Sequence, residues 1–176
     1  YSPLDLKLVL LSAAGCYGLL TLVFRGIGRH GGPSGELTRV RLTLGERQVE
    51  LTGLVDTGNT LTDPATGRPV LVAEADSLEE LLPPGLRPGP RQGKPPPYPT
   101  ELRDPAGALE RLEDGPWRLR FRLLPYRAVG VERGLLLALR MDRVQVGEED
   151  RGPMLAALSP TPVSDGGAYR VLVGAE

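Results

Sequence analysis

The sequence predicts a mainly β domain with short helices, preceded by one membrane-spanning helix. Apolar and polar residues alternate in several short segments, as they do in strands that bury one face. The chain of 176 residues contains 23 glycines and 18 prolines, so its regular elements should be short and often interrupted. Residues 8–24 are all apolar or small apart from Ser12, Tyr17 and Thr21, and this segment sets the amino end apart from the rest.

The apolar segment predicts a transmembrane helix within residues 1–25. Its length is at the short end of what a bilayer requires, and the Lys7 side chain can extend to the membrane surface. A core helix and a signal peptide are the alternatives, although no Ala-x-Ala cleavage site ends the segment. The chain begins at Tyr1 rather than Met, so we expect further sequence upstream.

Basic residues follow the apolar segment directly, at Arg25, Arg29 and His30. By the positive-inside tendency, this flank places the following domain, from Glu36 onward, on the cytoplasmic side of the cell membrane.

Residues 26–36 form a glycine-rich linker. Gly26, Gly28 and Gly31 match the spacing of a dinucleotide-binding loop, but Pro33 follows where such a loop would open a helix. We therefore interpret the linker as a hinge next to the membrane, followed by a globular domain over residues 37–176.

Composition excludes several classes of function. A formal charge of -1, with no basic helix interleaved with aromatics, argues against nucleic acid as a partner. Cys16 and His30 are the only cysteine and histidine, so we expect no internal disulfide, no Cys/His metal site and no Cys-His or Ser-His nucleophile. A carboxylate mechanism needs none of these residues, and no cofactor is expected.

The triplet Asp56-Thr57-Gly58 follows an apolar strand and is the strongest candidate for chemistry. A hairpin over residues 39–44 and 48–54 leads into it. Asp56 is the candidate catalytic acid, the Thr57 hydroxyl could bond to nearby backbone, and Gly58 would let N–H groups approach the carboxylate. A turn in which Asp56 caps its own loop is the structural alternative.

Two blocks of sequence carry a resemblance to a known family. The first is Val55-Asp56-Thr57-Gly58-Asn59-Thr60-Leu61 with Asp63-Pro64, Gly67 and Pro69-Val70, and the second is Leu124-Pro125-Tyr126-Arg127-Ala128-Val129-Gly130 with Gly134-Leu135-Leu136 and Asp142. These blocks, between Arg39 and Val146, resemble the sporulation sigma-E factor processing peptidases of endospore-forming bacteria.

The resemblance implies a membrane-embedded aspartic endopeptidase whose domain is a retropepsin-like half-barrel. It implies that the substrate is a sporulation sigma factor precursor, from which the pro-segment is removed. It also implies several membrane spans before residues 1–25, and activation by a signal protein from across the membrane.

A single chain does not supply a complete catalytic pair. Asp114-Gly115 and Asp165-Gly166 lack the hydroxyl residue of the motif, so a homodimer with one Asp56 from each subunit is the simplest way to pair two carboxylates. A non-catalytic, membrane-tethered peptidase-like binding module is the main alternative. A phosphorylated aspartate of the cation-pumping ATPase type is a weaker one, because the motif lacks its lysine.

The remaining segments predict short elements around the motif. A strand is expected at residues 70–72, a capping box from Ser77 to Glu80 predicts a short helix, and Asp104-Pro105 predicts another over residues 106–112. Between them, residues 83–100 form a Pro-rich loop, with a flap over the cleft as the functional alternative.

Later segments predict further strands, at residues 117–123, 135–139, 144–146 and 169–173. In the first of these, Arg118, Arg120 and Arg122 form a basic face that could meet an acidic partner surface. Leu172-Val173-Gly174 or Ala128-Val129-Gly130 could supply the apolar pair before glycine that retroviral-type peptidases contain.

Overall fold

The computed structural model describes residues 35–87, 100–112, 115–128, 131–164 and 166–174. The chain divides into two units, Tyr1–Ser34 and Gly35–Glu176, and the described residues all belong to the second. The predicted transmembrane helix and most of the linker therefore lie outside the described residues, as do residues 88–99 of the Pro-rich loop. Among the residues that are described, no helix has both the length and the apolar character needed to cross a bilayer.

The domain is mainly β, as predicted. Its strands are β1 (Gly35–Leu44), β2 (Arg47–Asp56), β3 (Val70–Glu74), β4 (Phe121–Ala128), β5 (Val131–Val146), β6 (Glu149–Ser159) and β7 (Val171–Gly174). One α-helix, α1, covers Pro105–Arg111, and short 3-10 helices cover Ala75–Leu81, Pro84–Leu86, Thr100–Arg103 and Arg118–Arg120.

Six of these strands close into a barrel in the order β1-β2-β7-β3-β6-β5. Closure comes from the antiparallel pairing of β1 with β5, from Val40 opposite Val146 to Thr43 opposite Arg143. We predicted a half-barrel, and the structure differs because this pairing joins the two edges that an open sheet would expose. Strand β4 pairs with β5 outside the closed ring.

The interior of the barrel is apolar, and β1 illustrates why. Val40, Leu42 and Leu44 are buried, while the residues between them are only partly so, which confirms the predicted alternation. Aliphatic residues from the other barrel strands fill the same core, and the leucines of Ala75–Leu81 close it from outside the sheet.

A second, smaller apolar cluster lies on the outer face of the sheet. It contains Val70, Leu124, Ala138, Leu155 and Ala157, and we call it the outer cluster. These residues alternate along their strands with residues of the main core, so they point away from the barrel interior. The outer cluster is thus a second layer built on the barrel wall.

Of the two predicted helix caps, one is absent and one is present. The helix predicted from the Ser77 capping box is a 3-10 helix that begins at Ala75, after Glu74, and no side chain caps it. The helix predicted from Asp104-Pro105 is present as α1, where the Asp104 carboxylate accepts a hydrogen bond from the Gly107 N–H at 3.1 Å.

Two strand predictions need correction. The strand predicted over residues 117–123 begins only at Phe121, because hydrogen bonds from Arg118 N–H to Gly115 O and from Arg120 N–H to Trp117 O form consecutive turns before it. The strands predicted at residues 135–139 and 144–146 are parts of one long strand, β5, whose pairing with β6 is irregular after Met141.

Burial in β1 predicts a clear contrast between two leucines. Leu42 is fully buried, so Leu42→Ala should lower the free energy of unfolding by about 2–5 kcal/mol, through lost contacts and a residual cavity. Leu37 lies on the same strand but is 53% exposed, so Leu37→Ala should cost less than about 0.5 kcal/mol. Urea unfolding followed by the fluorescence of Trp117, the only tryptophan, measures both. Equal losses in the two variants would contradict this account of the core.

Candidate active site

Asp56 is the last residue of β2 and lies between two neighbouring strands. Its backbone is opposite Gly35 of β1 on one side and Gly174 of β7 on the other. The β2–β7 pairing is parallel, so both strands end at the same edge of the barrel. The Asp56 carboxylate is half-buried there, at the mouth of a cleft.

The residues after Asp56 turn back to hold its carboxylate. The Gly58 N–H donates a hydrogen bond to Asp56 Oδ1 at 2.8 Å, and the Asn59 N–H donates to the Asp56 carbonyl oxygen at 3.1 Å. A Cβ on residue 58 would lie 3.2 Å from Oδ1, a tight contact that glycine avoids. The Thr57 side chain is exposed, and its hydroxyl makes no hydrogen bond within the described part of the chain.

The Asn59 side chain makes the hydrogen bonds to nearby backbone that we expected of the Thr57 hydroxyl. Its side-chain amide donates to the Val70 carbonyl oxygen at 3.2 Å and to the Leu172 carbonyl oxygen at 3.4 Å. Its Oδ1 accepts a hydrogen bond from the Leu61 N–H at 3.3 Å. The loop is therefore tied to β3 and β7 at once. Sequence reasoning named Asn59 only as part of a resemblance, although an amide carries both the donor and the acceptor that this bracing needs.

Gly174 determines how closely β7 approaches this loop. A Cβ at position 174 would lie 2.9 Å from the Asn59 carbonyl oxygen, so a side chain there would push the loop away. Of the two glycine segments considered from sequence, Leu172-Val173-Gly174 is the one that lies beside Asp56. In the other segment, Val129 and Gly130 lie outside the described residues.

The cleft beside Asp56 has a volume of about 650 Å³. Three parts of the chain line it: Asp56 with residues 58–62 of the loop that follows, residues Pro125, Tyr126 and Arg127 of β4, and the segment Ser159-Pro160-Thr161. Val72, Leu136 and Leu172 add apolar surface. Asp56 is the only acidic residue among those that line the cleft in the described part of the chain.

The flap considered for the Pro-rich loop falls largely on residues outside the described ranges. The β4–β5 hairpin, in contrast, does line the cleft.

The Tyr126 ring lies across a glycine of the neighbouring strand. Tyr126 and Gly134 are opposite each other in the β4–β5 ladder. A Cβ at position 134 would lie 2.2 Å from a carbon of the Tyr126 ring. Because Gly134 has no side chain, the Tyr126 ring can pack directly over it, beside the cleft.

Asp63 holds the far end of the same loop. It is buried, and its carboxylate accepts hydrogen bonds from the Ala65 N–H at 3.0 Å and the Thr66 hydroxyl at 2.9 Å. Arg122 adds a charged contact at 3.4 Å. The Ala65 hydrogen bond is the largest cause that lowers the pKa of Asp63; the Thr66 hydroxyl and Arg122 add to it, and burial opposes it.

The three arginines predicted to form one basic face each contact a different group. The Arg118 guanidinium donates to the Leu109 carbonyl oxygen, Arg120 pairs with Asp142 at 2.7 Å, and Arg122 contacts Asp63. The prediction of a common face was wrong because Arg118 and Arg120 lie in a 3-10 turn rather than in β4.

Comparison with known proteins identifies the family. The family described as sporulation factor SpoIIGA, a peptidase family, matches residues 1–176. The chain belongs to this family.

Named relatives agree with this membership. A protein of Bacillus thuringiensis subsp. kurstaki, named as a sporulation sigma factor-processing peptidase, is 34% identical over 144 residues, which are 78% of this chain and 81% of the relative. Two proteins named sporulation sigma-E factor-processing peptidase, from Priestia megaterium and Bacillus subtilis, are 33% and 29% identical over 78% of this chain. The chain spans 43% of the length of each of these two. No solved structure matches.

The described residues of this family member contain no group of three or more His, Cys, Asp or Glu side chains arranged to hold a metal ion.

Replacing Asp63 should have a pH-dependent effect on stability. The folded pKa lies below the ordinary value, so this carboxylate stabilises the fold above about pH 4, and the stabilisation is lost as the pH falls through the lower folded pKa. Asp63→Asn should cost about 1–2 kcal/mol at pH 7. Urea unfolding at pH 7 and pH 2.5 should show the difference from wild type shrinking at the lower pH. A difference that stays constant would contradict the role of the charge.

Gly134→Ala should displace the Tyr126 ring and cost about 1–3 kcal/mol through overpacking. Gly85→Ala is a matched control, because a Cβ at position 85 meets no atom within 4 Å. If the clash is with the ring, the cost of Gly134→Ala should fall in a Tyr126→Ala background, which a double-mutant cycle of unfolding free energies measures. An unchanged cost would place the strain elsewhere.

Proposed function

We propose that this chain is part of a membrane-anchored aspartic endopeptidase that removes the pro-segment of a sporulation sigma factor precursor. The observation that carries the proposal is the Asp56 carboxylate, held by the Gly58 N–H at the mouth of a cleft large enough for a polypeptide segment. The names of the relatives support the reaction and the substrate class.

One carboxylate is insufficient for this reaction. Peptide hydrolysis by carboxylates uses two acids that share one proton, so that one acts as a base while the other acts as an acid. Because Asp56 is the only acid lining the described cleft, the second carboxylate must come from elsewhere. A homodimer supplies it when a twofold axis passes between two copies of the loop and brings one Asp56 from each subunit together.

In such a dimer, a water molecule bound between the two Asp56 carboxylates is the nucleophile. The ionised carboxylate takes a proton from the water as its oxygen attacks the scissile carbonyl carbon. The protonated carboxyl donates a hydrogen bond to the carbonyl oxygen as negative charge develops there. The carboxyl group that took the proton from the water then passes it to the leaving nitrogen as the C–N bond breaks and the carbonyl re-forms, so that the pair again shares one proton. The Gly58 N–H keeps Asp56 oriented throughout.

The exposed Thr57 side chain fits this assembly. Its hydroxyl is close in sequence to the catalytic acid and makes no hydrogen bond within the described residues of one subunit. At a twofold axis beside Asp56, this hydroxyl is available to the second copy.

The membrane anchor and its orientation belong to the proposal as well. The apolar residues 8–24 have nearly the length of a membrane span, and the basic residues after them favour a cytoplasmic peptidase domain. A sigma factor precursor would meet the domain in that compartment. Activation by a signal protein from across the membrane is consistent with the same orientation.

Asp56→Asn tests the proposal directly. The change keeps the size of the side chain and a hydrogen-bond acceptor for the Gly58 N–H, but removes the charge. We expect the rate of precursor processing to fall by at least about 10³-fold, while the amount of protein at the membrane and its unfolding free energy change little. Co-expression of the full-length membrane protein with a sigma factor precursor, followed by detection of the shortened product, measures the rate.

Asp150→Asn is the matched control, because Asp150 is an exposed aspartate near the β5–β6 turn and does not line the cleft. It should process the precursor at the wild-type rate. Processing by Asp56→Asn at the wild-type rate would contradict the peptidase proposal and favour the peptidase-like binding module, in which Asp56 only shapes its loop.

A further inference from the structure

A second, smaller pocket lies on the outer face of the sheet and carries positive charge. It has a volume of about 180 Å³ and is lined by Arg68, Arg122 and Arg140, with Asp63, Thr66, Pro69, Pro153, Met154 and Leu155. We call it the arginine pocket. The end of the loop between Asp56 and β3 contributes to it, as do β4, β5 and β6.

The arginine pocket has more positive charge than its own carboxylate can balance. Asp63 is engaged by the Ala65 N–H, the Thr66 hydroxyl and Arg122. Arg68 makes only a long contact, at 3.5 Å, with the neutral Pro153 carbonyl oxygen. Arg140 is exposed and forms no hydrogen bond or salt bridge with the described residues. Hydrogen bonds from Arg120 and the Gly45 N–H mainly lower the pKa of Asp142, and the charge of Arg140 contributes to this lowering. Two guanidinium groups therefore face the same small space without a carboxylate in direct contact.

The arginine pocket and the cleft lie on one face of the sheet. Along β4, Arg122 lines the pocket and Tyr126 lines the cleft, with Leu124 of the outer cluster between them. Along β5, Arg140 lines the pocket and Leu136 lines the cleft. Residues two apart share a face, and four residues of strand span about 13 Å. Along β4 and β5, the residues that line the two sites are thus about 13 Å apart, with the buried outer cluster between them.

We propose that the arginine pocket binds the carboxylate of an aspartate or glutamate side chain of the polypeptide bound in the cleft. The proposal rests on the proposed function, because it assigns a specificity site to the same substrate. An extended peptide advances about 3.3 Å per residue, so about four residues would separate the acidic residue from the substrate residue that contacts Tyr126.

The chemistry of the pocket suits a side-chain carboxylate. Guanidinium groups match the two oxygens of a carboxylate in a fork geometry. Pro69, Met154 and Leu155 supply apolar surface for the methylene groups that carry such a carboxylate, which a free inorganic anion would not use. A carboxylate bound there would also contact both the loop after Asp56, through Arg68, and β5, through Arg140.

A labelled hexaglutamate peptide is the direct probe, with hexaglutamine as the neutral comparison. Fluorescence anisotropy with the full chain, purified in detergent, should detect hexaglutamate binding and much weaker hexaglutamine binding. The double variant Arg68→Gln/Arg140→Gln should bind hexaglutamate about tenfold more weakly. Both residues are exposed, and neither pairs with a carboxylate in the described structure, so the fold should tolerate the change.

Arg103→Gln/Arg111→Gln is the matched control, because it removes the same charge from two exposed arginines outside both sites. It should bind hexaglutamate like wild type. Equal weakening in the two double variants would overturn the proposal, since it would indicate attraction by overall charge alone. Displacement of the peptide by millimolar inorganic phosphate, with no effect of the pocket variant on precursor cleavage, would also overturn it and assign the pocket to a free anion.

Cleavage kinetics supply the second readout. The pocket variant should raise KM for the precursor with little change in kcat, because the pocket lies away from the reacting atoms. Peptide binding does not require hydrolysis, so a failure of the arginine pocket proposal can be distinguished from a failure of the proposed function. If Asp56→Asn processes the precursor normally, the proposed function fails whatever the binding result. If Asp56→Asn is inactive but KM is unchanged in the pocket variant, only the arginine pocket proposal fails.

Discussion

The insertion of β7 between β2 and β3 is the constraint on which the candidate site depends. This strand has four residues, pairs in parallel with β2 and antiparallel with β3, and places Gly174 opposite Asp56. The Leu172 carbonyl oxygen then lies where the Asn59 amide can reach it. So short a strand is not stable alone, and the closed barrel holds it in place. The pairing of β1 with β5 is therefore a condition for the geometry around Asp56.

The loop after Asp56 connects the two sites through the outer cluster. Its first half lines the cleft, its Leu61 packs on the outer cluster, and its second half, from Asp63, lines the arginine pocket. Hydrogen bonds brace it at both ends, through Asn59 and Asp63. A group bound in one site would consequently contact the same loop that shapes the other. In the proposed peptidase, this arrangement would allow recognition of a substrate residue away from the scissile bond.

Sequence patterns predicted the parts of the fold that depend on local periodicity. The alternation of Val40, Leu42 and Leu44 fixed the inner face of β1, and the Asp104-Pro105 pair fixed the start of α1. The strand predicted over residues 117–123 starts later than the alternation of apolar and polar residues indicates, because hydrogen-bonded backbone turns follow Gly115. Barrel closure and the irregular course of β5 depend on pairings between residues far apart in sequence, which periodicity does not encode.

Sequence patterns likewise predicted some features of the candidate site and missed others. The Asp56 triplet and its Gly58 contact follow from residue types at fixed spacing. The bracing by Asn59 does not, because it requires knowing that β3 and β7 both pass beside the loop. The arginine pocket also escaped sequence reasoning, since Arg68, Arg122 and Arg140 come from three separate segments. Only the folded sheet brings them to one face.

In the proposed dimer, two copies of Asp56 complete one catalytic site, and mixing of subunits measures whether both are needed. Wild-type chain is co-expressed with increasing amounts of the Asp56→Asn chain at constant total protein, and precursor processing is measured. If each active dimer needs two aspartates, equal amounts of the two chains should reduce processing to about one quarter of the wild-type level. Processing that falls only in proportion to the wild-type chain, to about one half, would contradict the claim and indicate a site completed within one subunit.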